Sequence, residues 1–113
     1  MDITKTGFIA LLLALMAGLA LAGDQLQPGM HYASPDGPAL PFTCLVGDPP
    51  TTMEWPTGEL PLWTWDPEAE VYKRTLGGVE QTIEFDIDDE ETQRGTYVVK
   101  AGGVEVQRGR THW

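Results

Sequence analysis

Ile83-Glu84-Phe85-Asp86-Ile87 alternates apolar and acidic residues without a break, and this stretch decides the fold class. A period of two places Ile83, Phe85 and Ile87 on one face and Glu84 and Asp86 on the other, as a half-buried strand requires. Working outward, Gly95 opens an apolar run over 96–100. Ala101-Gly102-Gly103 then reads as a hairpin turn into Val104-Glu105-Val106. Upstream, Val71 to Leu76 ends at Gly77-Gly78, and Leu60, Leu62, Trp63 and Trp65 run up to Asp66-Pro67. Phe42, Cys44 and Val46 alternate with Thr43 and Leu45 before Gly47-Asp48-Pro49-Pro50 breaks the run. Nowhere beyond residue 25 do apolar residues keep helical spacing for ten positions, so the body of the chain is all-β.

The two ends of the chain read differently. Between Gln25 and Pro41 stand Pro28, Gly29, Pro35, Gly37, Pro38 and Pro41, a density of breakers that predicts an extended entry segment over 23–41. The domain proper is then 42–110. Residues 1–22 follow another logic: Lys5 lies in a short polar start, 7–22 carry no charge, and Ala20-Leu21-Ala22 offers small residues at a cleavage site. That is the pattern of a secretory signal. The apolar run is at the short end for crossing a hydrocarbon core of ~30 Å, and a retained membrane-anchoring helix is the alternative. The chain is therefore expected to be exported (secreted, periplasmic or extracellular) or held by a single pass, with any membrane contact confined to 7–22.

Charge narrows the partners. Taking away the first 22 residues removes Asp2 and Lys5 from totals of 17 acidic and 7 basic residues, leaving 16 against 6. A surface so acidic repels nucleic-acid phosphates and anionic headgroups, so no nucleic-acid partner is expected.

A family resemblance rests on a few positions. Phe42-Thr43-Cys44-Leu45-Val46-Gly47-Asp48-Pro49-Pro50, then Trp55 eleven residues after Cys44, then Gly58 and Leu60, resembles strands B and C of an I-set immunoglobulin domain. Gly95-Thr96-Tyr97 resembles the tyrosine corner that opens strand F. About ten positions between residues 28 and 108 carry the likeness. Val99 stands where the family has its second cysteine, and Gln93 where an aspartate is usual. The resemblance implies a small antiparallel β-sandwich without its intersheet disulfide, Cys44, Trp55, Tyr97 and Val99 packing together in the core. It implies a non-enzymatic binding or adhesion module that acts through protein or glycan contacts and needs no cofactor. The rival is a membrane-anchored structural subunit of an envelope, pilus or virion assembly.

Several groups invite a chemical reading. Cys44 is the single cysteine, and its place in an alternating apolar run predicts a buried thiol. Asp86, Asp88, Asp89, Glu90 and Glu91 put five carboxylates within six residues, enough oxygen for a hard cation such as calcium, but without the glycine and spacing of an EF-hand loop, so a solvated loop is the better reading. His31, Ser34 and Asp36 lie close in sequence but without the strained elbow that a nucleophilic serine uses. Trp63 and Trp65 bracket Thr64, so in a strand both rings share a face. Either they close the core or they anchor a partner, since aromatics dominate interface hot spots.

Overall fold

The computed structural model describes residues 23–58 and 60–113. The expected signal peptide or anchor at 1–22 lies outside the described residues. Eight strands follow in order: β1 (Gly29–Pro35), β2 (Phe42–Val46), β3 (Thr52–Glu54), β4 (Trp63–Asp66), β5 (Val71–Leu76), β6 (Val79–Asp89), β7 (Arg94–Ala101) and β8 (Val104–His112). Each pairs antiparallel with the next, and β8 returns to pair with β1, closing an up-and-down barrel.

Sequence alternation builds the wall. His31 and Ala33 of β1, Cys44 and Val46 of β2, Met53 of β3, Trp63 of β4, Tyr72 of β5, Ile83 and Phe85 of β6, and Tyr97 and Val99 of β7 all turn inward and are buried. An eight-stranded barrel leaves an interior just wide enough for side chains to fill. Trp55, in the loop after β3, sits at the centre of that filling. Its ring meets Phe42, Tyr97 and Phe85 edge-on at 4.8, 4.9 and 5.7 Å between centroids. Two-residue turns join the long hairpins, with Gly77-Gly78 and Gly102-Gly103 all at positive φ, which side-chain-bearing residues rarely adopt.

The immunoglobulin-like sandwich is therefore corrected to a closed barrel. All connections run between neighbouring strands in the barrel, whereas an immunoglobulin domain needs Greek-key crossings between two sheets. The residues that carried the likeness occupy other roles. Cys44, Trp55, Tyr97 and Val99 all lie in the barrel core. The Tyr97 hydroxyl, however, accepts a hydrogen bond from Gln107 Nε2 on β8 at 2.9 Å and not one from a corner loop. Burial raises the Cys44 thiol to about 12, so it stays protonated and unreactive at neutral pH.

The entry segment also resolves into two parts. Pro28, Gly29 and Pro35 fall at the ends of β1, leaving its interior free to pair. Before it, residues 23–28 cross one end of the barrel as a plug. The Gly23 and Asp24 amides donate to the carbonyls of Glu70 (3.1 Å) and Phe85 (2.8 Å). Leu26 is buried, and its amide donates to the Tyr72 hydroxyl at 3.2 Å. Gln93, a non-glycine residue at φ 51°, holds the plug by accepting from the Gln27 amide at 3.0 Å and donating to the Glu90 carbonyl at 2.9 Å.

Candidate binding surface

The residues that sequence reasoning selected for contact are placed inside. Trp63 is 1% exposed; its Nε1 donates to the Trp55 carbonyl at 3.2 Å, and the Arg74 guanidinium lies over its ring at 4.2 Å. Trp65 is half-buried against Tyr72, 5.0 Å between ring centroids. The two rings do share a face, and it is the inner one: Trp63 is buried in the core and Trp65 packs half-buried against it. The acidic cluster does not converge either. Asp86, Asp88, Asp89, Glu90 and Glu91 are each exposed along β6 and its turn, and Asp89 Oδ1 is occupied by the Glu91 amide at 3.0 Å. Among the described residues no three acidic, histidine or cysteine side chains gather as a metal site would require.

The His31, Ser34 and Asp36 grouping is split by the wall of the barrel. Ser34 and Asp36 are exposed, while His31 is fully buried, its ring stacked on Trp113 at 6.1 Å. His31 Nε2 lies 2.8 Å from the Gln27 carbonyl, which can only accept, so Nε2 carries the proton. Nδ1 is then a bare lone pair with no partner among the described residues. Burial lowers the His31 pKa, against a smaller opposing effect of the Gln27 carbonyl. Unfolded His31 takes up a proton near its ordinary value of ~6.5, whereas the folded ring does not. Stability from this residue is thus complete above about pH 6.5 and declines as pH falls below it. Between pH 7.5 and 5.0 the urea midpoint of the wild type should fall further than that of His31→Phe. Equal falls would show that His31 does not contribute to acid sensitivity.

What lies outside is a different set. Along β8 the outward positions are Arg108, Arg110 and His112, alternating with the buried Gly109 and Thr111. Pairing sets Arg110 opposite Ser34 of β1 and Thr96 of β7, and His112 opposite Tyr32 of β1. Tyr32, 49% exposed, stacks on His112 at 5.4 Å and 25° between planes. On the next strand Tyr32 faces Thr43, and Met30 faces Leu45, both exposed apolar side chains.

Two concavities adjoin on this face. One, of about 340 Å³, is apolar in character, formed by Tyr32, Pro41, Phe42 and Thr43 with Ser34 and His112 at its border. The other, of about 430 Å³, is bounded by Ser34, Asp36, Arg94, Arg110, Thr111 and His112. Ser34 and His112 border both, so the apolar groove and the cationic hollow lie side by side on this face.

The electrostatics of the hollow stand out against an acidic chain. Elsewhere Lys73 is paired with Asp66 at 2.8 Å, Arg74 is folded onto Trp63, and Arg108 is held by Glu105. Among the described residues neither Arg94 nor Arg110 has a carboxylate within 4 Å. Both guanidinium groups border the hollow beside the exposed Ser34, and each carries several N–H donors in a planar fork. The buried Thr111 hydroxyl donates to the Tyr32 carbonyl at 3.0 Å, so among the described residues Ser34 and the two arginines are the donors that face the hollow. A sequence signal for this surface existed in Arg108-Gly109-Arg110-Thr111-His112, a basic run of period two. Only strand pairing adds Arg94 and Tyr32 to it. Compared with known proteins, the chain matches no family model, no curated protein and no solved structure.

Proposed function

We propose that the chain is an exported, non-enzymatic binding module that holds a protein partner on the outer face of β7, β8, β1 and β2. The observation that carries this reading is the groove along Tyr32, Pro41 and Phe42, which leaves a half-exposed aromatic ring beside polar hydrogen-bonding groups. Such a mixture of an aromatic anchor and a polar rim is the composition of a protein-binding patch. The barrel interior is packed with aromatic rings, so contacts fall on the outside of the wall. Export rests on the charge-free run at 7–22 and the small residues at Ala20 and Ala22.

A photoreactive phenylalanine analogue at Tyr32, in the organism that encodes the chain, should yield a discrete adduct with one partner. The same analogue at the exposed Thr75 of β5, across the barrel from β1, should yield none. Equal labelling from both positions, or none from Tyr32, would remove the surface from consideration.

A further inference from the structure

We propose that the hollow bounded by Arg94 and Arg110 is an oxyanion site for a single carboxylate, carried by a partner segment whose apolar side chain occupies the adjoining groove. This rests on the protein-binding reading of the face. The two guanidinium groups lie on adjacent strands, β7 and β8, and Arg110 faces Ser34 across the β8–β1 seam. Planar guanidinium forks match a carboxylate in geometry as well as charge, and an arginine without a counterion gains most from acquiring one. The hollow also lies beside the apolar groove, with Ser34 and His112 bordering both, so one ligand can place a carboxylate in the first and an apolar group in the second.

Charge decides the kind of anion. The chain carries a formal charge of −10, so a polyanion such as a nucleic acid or sulfated glycan would meet repulsion beyond the rim. A lone carboxylate needs only the local field, because charges farther than about 8–10 Å are screened at ordinary ionic strength. Asp36 borders the same hollow and is the one acidic side chain there among the described residues. Its amide is tied to the Arg108 carbonyl at 2.9 Å, which fixes its backbone beside the site, and its charge opposes an incoming anion. The site is therefore tuned by three nameable charges, and each can be removed singly.

The probe is 4-phenylbutyrate, which joins an apolar ring to one carboxylate, titrated into the full chain and followed by backbone amide resonances. Its uncharged amide and inorganic phosphate serve as comparisons. Saturable shifts at Tyr32, Ser34, Thr96 and Thr111 are expected. Binding should be at least about tenfold weaker for the amide and for Arg94→Gln/Arg110→Gln, since hydrogen bonds to charged groups are the stronger kind. Asp36→Asn should tighten it by roughly two- to fivefold, as removing a like charge at the rim does in high dielectric. Unchanged spectra away from the face show that these exposed substitutions keep the fold. An amide that binds as well as the acid, or an Asp36→Asn variant that weakens binding, overturns the oxyanion site. Phosphate binding as tightly as phenylbutyrate overturns the apolar half of the proposal. Failure of the Tyr32 adduct alongside intact phenylbutyrate binding would strike the protein-partner reading alone, and leave a carboxylate site for a small molecule.

Discussion

Trp55→Ala is expected to leave the chain largely unfolded at room temperature. The ring is buried and touches Phe42, Phe85 and Tyr97, which come from β2, β6 and β7, so it joins strands that lie far apart around the barrel. Truncating a buried tryptophan costs ~3–5 kcal/mol in lost transfer energy and residual cavity. A domain of this size holds only ~5–15 kcal/mol in total, more often toward the lower end. Trp65→Ala removes a half-buried ring and should cost clearly less. Trp63→Ala falls between, because it also strips the cover from Arg74, whose guanidinium further donates to the carbonyls of Trp55 (3.1 Å) and Pro61 (3.3 Å). Circular dichroism and urea unfolding of the three variants rank them directly. A Trp55→Ala protein with a wild-type midpoint would contradict the central position of this ring.

That ranking shows where sequence reading succeeded and where it stopped. Period-two alternation at Ile83-Glu84-Phe85 and at Phe42–Val46 correctly assigns strands, because each residue's face follows from its neighbours alone. The same alternation is produced by a sandwich and by a barrel. The two differ in whether the first strand finds the last, and Ala33 pairs with Thr111 across most of the chain length without any local mark. The prolines and glycine that border β1 further disguised it as an irregular entry. At Trp63 and Trp65 the shared face was legible, but its direction was not, since inside and outside are set by which strands curl around them. The Arg94 and Arg110 hollow is assembled from three strands and needed pairing registers to appear.

The closing seam itself is tested by Gly109. This residue points inward on β8 opposite Tyr97 and Pro35, where β1 crosses close against β8. A Cβ there would fall on the Ser34 carbonyl, 2.7 Å from Pro35 Cα and 2.8 Å from the Tyr97 hydroxyl. Two of those three obstacles are backbone, so a rotamer change cannot relieve the overlap and the strands must part. Parting strains the bond from the Asp36 amide to the Arg108 carbonyl and that from the Thr111 hydroxyl to the Tyr32 carbonyl, which stitch the same seam. Overpacking of this kind costs ~1–3 kcal/mol or more, and at ~3 kcal/mol the unfolding midpoint of a small domain drops by roughly 12–24 °C. Gly37→Ala is the control: it lies in the β1–β2 loop at φ 94° with open space around it, so it carries backbone strain without any clash. Gly109→Ala should therefore fall well below Gly37→Ala in thermal midpoint, and amide exchange should accelerate first over 32–36. If the two alanine variants melt together and β1 keeps its protection, the β1–β8 contact is not the tight seam that closes the barrel, and an open sheet would become the better description.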